Sequence, residues 1–389
     1  MNAPMVALGN IVEIKGGGTP SKANSAFWGG DIPWVSPKDM KRWEIADAED
    51  KITVEAIKGS ATNLIPKNAI LIVNRSGILK HTLPVGITQR PVAINQDIKA
   101  LICGARADAG YVAHIVKASE SVVLKWVRAT TADNFSIDNL RRLEIPLPPL
   151  VEQRRIAAIL DRADALRRKR KRAIELLDSL SRSTIDAAYA TTLPTKALGE
   201  LCDVQGGLQL THARVKLPME VPYLRVANVH RDRLDLSEVK TMRVSEGELR
   251  RTLLAAGDIL FVEGHGNAAE IGRCAVWDGS LAPCIHQNHL IRARPISMEI
   301  DPILVSFWLN SEIGRRNLLR RGKTTSGLNT INVSDVREIR VPCLPSQERE
   351  ALRMRLGQIG SVRGHYSKQL FAWDDLFSSL QSRAFSGQL

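Results

Sequence analysis

Cysteine is scarce in this chain and so are long apolar runs. Five cysteines occur in 389 residues (Cys103, Cys202, Cys274, Cys284 and Cys343), an odd number with no pair in CxxC spacing. A disulfide framework and a four-cysteine zinc site are both excluded by that count and spacing. The aliphatic run at Ala69–Val73 falls far short of the ~20 apolar residues that span a bilayer. Met1 to Gly9 shows no basic-then-apolar leader pattern, so a cytoplasmic, reduced and soluble protein with no membrane partner is expected. Aromatic residues are only 5%, yet hydrophobic residues make up 44% and charged residues 24%. Those fractions belong to globular domains rather than to disordered or fibrous chains. What the sequence has in excess is positive charge, 54 Lys and Arg against 41 Asp and Glu, for a net +13. The surplus is spread along the chain with no basic tail. It favours a polyanionic partner, nucleic acid first.

The chain repeats itself. Ala7-Leu8-Gly9 returns as Ala197-Leu198-Gly199, and Gly16-Gly17 as Gly206-Gly207, both at an offset of 190. Ile32-Pro33-Trp34-Val35 matches Val221-Pro222-Tyr223-Leu224, and Ile70-Leu71 matches Ile259-Leu260, at 189. Ile94-Asn95-Gln96 resembles Ile285-His286-Gln287 at 191, and Ile145-Pro146 matches Val341-Pro342 at 196. So many ordered matches mark two diverged copies of one unit. Each copy opens with a head of short β-rich runs broken by Gly, Pro and Asn, over 1–149 and 193–345. These heads include strand-like Ala69–Val73 and Gly257–Val262, and a helical stretch Pro302–Leu319. Each head gives way, after a proline stop, to a long helix over 150–192 and 346–389.

Both helices carry heptads. In the first, the series are Ile159, Leu166, Ala173, Leu180, Ala187 and Ile156, Ala163, Arg170, Leu177, Thr184. In the second they are Leu352, Ile359, Tyr366, Trp373, Leu380 and Leu356, Arg363, Leu370, Phe377, Ala384, so that Arg170 and Arg363 interrupt matching series. Neither rod of ~60 Å buries its stripe alone. The economical solution is an antiparallel pair with a head at each end and internal pseudo-two-fold symmetry. The expected fold class is α+β. Two similar heads at a fixed distance suit two DNA half-sites, and heads that differ in sequence predict an asymmetric site.

Motifs for chemistry do not hold. Gly264-His265-Gly266-Asn267-Ala268-Ala269 fits GxGxxA, but a strand-like run rather than a helix follows it. Gly322-Lys323-Thr324 lacks the upstream glycine of a phosphate-binding loop, with Asn317 in its place. His265, His286, His289 and Cys284 lie close in sequence without zinc spacing. The methyltransferase tetrad Asn/Asp-Pro-Pro-aromatic and the nuclease cluster PD…(D/E)xK are missing from the sequence. The expected chain is non-catalytic, with no metal. Six consecutive basic residues, Arg167 to Arg172, offer a face to phosphates or to an acidic partner.

Two segments resemble a known family. Gly16-Gly17-Gly18-Thr19-Pro20-Ser21, then Trp28-Gly29-Gly30-Asp31-Ile32-Pro33-Trp34-Val35-Ser36-Pro37-Lys38-Asp39-Met40, is similar to the opening of a target-recognition domain in the specificity subunits of type I restriction–modification systems. Ile145-Pro146-Leu147-Pro148-Pro149-Leu150-Val151-Glu152-Gln153-Arg154-Arg155-Ile156 resembles that family's first conserved helix start, and Ala384 to Leu389 its ending. The second head departs from the pattern with Gly206-Gly207-Leu208-Gln209, and Pro345-Ser346-Gln347-Glu348-Arg349 is a degraded second helix start.

The resemblance implies that each head reads half of a bipartite site in double-stranded DNA. The helices would set the spacer and dock two methyltransferase subunits, which flip out the adenine they methylate. Restriction subunits complete the complex. S-adenosylmethionine, ATP and magnesium are then expected on the partners and no cofactor on this chain. Base readout calls for polar side chains on exposed loops. In the first head these are Thr19, Ser21, Lys22, Lys38, Asn74, Arg75, Ser76, Lys80 and Gln96. In the second they are Arg225, Asn228, His265, Asn267, Gln287, Asn288, Lys323, Thr324, Thr325 and Ser326. Pro33, Trp34 and Tyr223 read as core. The competing functions are a fused DNA methyltransferase and a coiled-coil adaptor with no DNA role.

Overall fold

A computed structural model describes residues 3–128, 133–319, 323–325 and 328–389. The chain divides into two compact units, one of residues 1–171 with 368–389 and the other of residues 172–367. Each unit holds one head and a segment of both long helices. Among the described residues, no helix is long and apolar enough to cross a membrane.

In the first unit a five-stranded sheet is built around Ile98–Cys103, which pairs antiparallel with Val12–Gly16 on one side and Ile70–Val73 on the other. Ile70–Val73 reads Ile-Leu-Ile-Val and is fully buried, the composition of a strand covered on both faces. A four-stranded sheet is built on Trp28–Val35, which runs antiparallel to Asp50–Ile52 and parallel to Val92–Ile94. Trp34 is 7% exposed and its indole N–H donates to the Gly18 carbonyl at 3.0 Å. The helix Ala109–Ala118 closes the core, capped by the Asp108 carboxylate accepting from the Tyr111 amide.

The second unit repeats this plan. Leu290–Pro295 pairs with Cys202–Gly206 and Ile259–Val262, and Met219–Leu224 pairs antiparallel with Lys240–Val244 and parallel with Ile285–His286. Its capped helix is Pro302–Asn310, with Asp301 accepting from the Ile303 and Leu304 amides. The expected single helical stretch Pro302–Leu319 is two helices, Pro302–Asn310 and Glu312–Leu319. They break at Ser311, and a Cβ on Gly314 would meet the Trp308 carbonyl. Gly17 and Gly207 show why both copies keep a glycine pair: a Cβ there would strike the backbone of Ile94 and of His286 and Gln287.

The long helices run Leu150–Ala188 and Ser346–Phe385. In the first unit their segments are antiparallel, since Arg155 reaches the Leu389 carbonyl while Arg167, three turns on, reaches Asp374. In the second helix both heptad series face inward as read. In the first helix one series is out of phase. Leu160 is 0% exposed, whereas Leu166 is 44% and Leu180 is 49%. The inward series is Leu160, Arg167, Ile174, Ser181 and Ala188, one residue on from the expected one. Arg167 is tolerated there because its guanidinium meets Asp164 at 2.9 Å and Asp374 at 2.6 Å and lies 4.5 Å over the Phe377 ring. Its counterpart 196 residues on is Arg363, paired with Asp178, so Arg167 rather than Arg170 matches Arg363.

Each helix start is fastened in the same way. Gln153 is 0% exposed and donates to the carbonyls of Arg106 at 3.0 Å and Pro148 at 2.8 Å while accepting from the Asp108 amide. In the second copy Arg349 donates to the Glu299 and Leu344 carbonyls at 2.7 and 3.2 Å.

Candidate nucleic-acid interface

Four segments converge at one edge of the first head. Where the strand Ile70–Val73 ends, the Asn74 amide donates to the Asp97 carbonyl at 2.7 Å and the Asn74 side chain to the Phe135 carbonyl at 2.7 Å. Arg75 pairs with Asp97 at 2.6 Å and bridges its backbone to Asn134. Ser76 caps the short helix Gly77–Lys80, and Lys80 reaches Asp133 at 3.3 Å. The glycine turn brings in Thr19, whose hydroxyl donates to Gln96 at 2.6 Å. Six of the nine expected residues of this head therefore share one edge: Thr19, Asn74, Arg75, Ser76, Lys80 and Gln96. Ser21 and Lys22 follow on the same exposed loop, with the Ser21 carbonyl held by the Trp28 indole. Lys38 stands apart from the four loops, paired with Glu49 and Asp50.

The same edge forms in the second head. After Ile259–Val262, the Glu263 amide donates to the His289 carbonyl and the Glu263 carbonyl accepts from the Ile331 amide. Gly264–His265 joins Leu328–Thr330 and Lys323–Thr325 in a three-stranded sheet. His265 is thus brought to the strand that carries Lys323, Thr324 and Thr325, of which only the backbone is described; Ser326 lies outside the described residues. Gln287 and Asn288 border the edge through hydrogen bonds from their backbone amides to Leu224 and Leu208. Asn267 caps the turn Ala268–Glu270.

Asn228 is a correction. It is 2% exposed, its amide donates to the Asp235 and Glu238 carbonyls, and its oxygen accepts from the Arg225 amide. Asp39 clasps Ser36 in the first head through the same local turn. Asn228 therefore fixes a loop and presents nothing to solvent. Arg225 is partly buried and paired with Glu238 at 2.9 Å.

Sequence reasoning missed the groups that stiffen the second edge. Arg315, 6% exposed, donates to the Ala269 and Ile271 carbonyls. Arg273, 8% exposed, donates to the Val229 and Val226 carbonyls and pairs with Glu270. The signal was an arginine inside the apolar run Ile271–Trp277, which a buried strand accepts only when the charge is met. Also missed was a cleft of about 1440 Å³ in the first unit. Its lining includes Lys38, Lys41, Arg42, Lys117, Lys125, Arg168 and Lys171 together with the apolar Trp43, Leu124 and Phe377.

The GxGxxA segment is no dinucleotide loop, since a two-residue strand, a short turn of helix and the strand Cys274–Val276 succeed one another there. Burial pulls the His286 ring down to about 4 and pushes the Cys284 thiol up to about 12. A neutral imidazole facing the Thr252 carbonyl and a protonated thiol are core groups. His289 pairs instead with Glu263. Among the described residues, no group of three His, Cys, Asp or Glu is placed to hold a metal ion.

Comparison with known proteins places this geometry. The model of the family described as "Type I restriction modification DNA specificity domain" matches residues 3–176. The specificity subunit of the type I restriction enzyme EcoR124I/EcoR124II of Escherichia coli is 44% identical over 162 residues, 41% of this chain and 40% of that protein. The MjaIX specificity subunit of Methanocaldococcus jannaschii is 32% identical over 44% of this chain and 40% of its own length. The EcoKI specificity subunit of Escherichia coli K12 is 25% identical over 72% of this chain and 65% of that protein. The chain thus spans about two fifths of the first two relatives and just under two thirds of the third. In fold, the chain resembles the S subunit of a type I restriction–modification system from M. genitalium, with a TM-score of 0.61 at 14% identity over 99% of this chain and 96% of that one. Residues 3–176 are thus similar to the type I restriction–modification DNA specificity domain, and the whole chain resembles an S subunit in fold.

Proposed function

We propose that this chain is the DNA-sequence-specificity subunit of a type I restriction–modification complex and carries no catalytic activity of its own. The observation that supports this most directly is the duplication of one loop edge. Both heads bring the ends of corresponding strands together on the same scaffold, yet the side chains differ: Thr19, Arg75 and Gln96 in one, His265, Asn267 and Gln287 in the other. Equivalent edges with different donors and acceptors read different bases. Each head then takes one half of an asymmetric bipartite site, and the helices set the spacer. Methyltransferase subunits docked on the helices supply S-adenosylmethionine chemistry. Restriction subunits supply ATP- and magnesium-dependent translocation and cleavage. The complex works in the cytoplasm on double-stranded DNA.

Adenine-methylation sequencing of the host with and without the gene tests this reading. One asymmetric bipartite motif is expected to lose methylation. Arg75→Ala is then expected to relax the bases of one half only, and Asn267→Ala those of the other, each by about 1–3 kcal/mol of discrimination. A methylome that is identical with and without the gene, in a strain that expresses the partner subunits, refutes the reading.

A further inference from the structure

The cleft lies wholly within the first unit, and among the described residues the second copy carries different side chains at several corresponding positions. Eight Lys and Arg side chains line it against two acids, Glu120 and Asp164. Those acids are already engaged, Glu120 by Lys117 and Asp164 by Arg167 and Arg168. The side chains of Lys41, Arg42, Lys125 and Lys171 are exposed and make no ion pair among the described residues. At four of the eight positions the second copy has lost the charge. On the long helices, at the offset of 196, Arg168 and Lys171 become Gly364 and Ser367. On the two short helices that follow the central strand, Lys117 and Lys125 become Asn310 and Asn317. A role shared by both heads would have kept these four cations in both.

Four unpaired cations held in one concave surface repel one another, and a polyanion relieves that cost. The cleft is also continuous with the reading edge, because Ser76 belongs to the edge and lines the cleft. A DNA backbone seated on the edge therefore leads into the cationic lining.

We infer that this cleft is a phosphate-backbone site found in the first unit alone, gripping DNA beside the half-site that unit reads, without regard to its sequence. The inference rests on the DNA-reading role proposed above, and the experiment separates the two. The assembled complex is titrated with a duplex carrying the motif and long flanks, and with a scrambled duplex, at several salt concentrations. Each phosphate contact contributes about 0.9 to the slope of log K against log salt. The triple variant Lys41→Gln, Lys125→Gln, Lys171→Gln is expected to lower the slope by about 2.7 on both duplexes. The affinity lost between about 50 and about 200 mM salt then shrinks by about 40-fold. Single variants are expected to shift the slope by about 0.9 each. An unchanged slope overturns the phosphate site. An unchanged slope with partner subunits lost from the complex identifies an acidic protein face as the occupant and overturns it equally. Failure of the unaltered complex to tell motif from scramble counts against the reading role, whatever the slopes do.

Discussion

Replacing Arg167 by alanine removes the polar centre of the helix seam in the first unit. Its side chain is 28% exposed, donates to Asp164 and to Asp374, and covers the face of Phe377 at 4.5 Å. Hydrogen bonds to charged partners contribute about 1.5–3 kcal/mol, and a cation over an aromatic ring about 0.5–1 kcal/mol at a partly open site. Asp374 is 47% exposed and recovers hydration when left alone, whereas Asp164 is only 16% exposed and recovers little. The expected loss is about 2–3 kcal/mol. For a unit of about 200 residues this lowers the midpoint of its thermal transition by roughly 5–10 °C. Scanning calorimetry of the Arg167→Ala, Asp374→Ala and double variants measures both the loss and the coupling. A coupling of about 1 kcal/mol or more is expected between neighbours in one network. Strictly additive single losses, or a variant within about 0.5 kcal/mol of the parent, refute the claim that this arginine belongs to the seam.

Four further outcomes are expected. Gln153→Ala strands the Asp108 amide and two carbonyls in a site closed to water, for a loss of about 3 kcal/mol in chemical denaturation. Gln153→Arg costs more than Arg349→Gln, because Gln153 is 0% exposed while Arg349 is partly open; equal losses refute the argument. Burial raises the Asp232 carboxyl to about 6 from 3.8. The folded state therefore keeps the proton between about pH 4 and 6, where the unfolded chain has lost it, and stability falls across that window. Asp232→Asn is expected to remove this fall, read as the difference between the two stability–pH curves; parallel curves contradict it. Gly17→Ala drives a methyl into the Ile94 backbone and is expected to abolish binding to one half-site before it unfolds the unit, measured by footprinting.

The helices were legible because a run without proline, bounded by proline stops, leaves little choice of boundary. The repeat was legible because strand ends and glycine turns keep their spacing even as side chains change. The phase of one heptad series was not. Ile159, Leu166 and Leu180 are more apolar than Arg167 and Ser181, and composition alone favours the wrong stripe. The true series is stabilised by Asp374 and Phe377, which lie 207 and 210 residues away in sequence. The reading edge was half legible for the same reason. Polar residues at strand ends mark it, but the contact between Asn74 and Phe135 spans 61 positions of sequence. Asn228 looked like a reader because its type and loop setting fit, and its burial comes from carbonyls at Asp235 and Glu238.

The two helix starts preserve a set of acceptors rather than a side chain. Carbonyls at Arg106 and Pro148 in one copy, and at Glu299 and Leu344 in the other, must be met, and Gln153 and Arg349 meet them by different chemistry. Selection acting on such a site counts donors and not letters. Kinship between the halves therefore outlasts the likeness of their alphabets, and a pattern drawn from one half goes blind at the other while the backbone still recognises it.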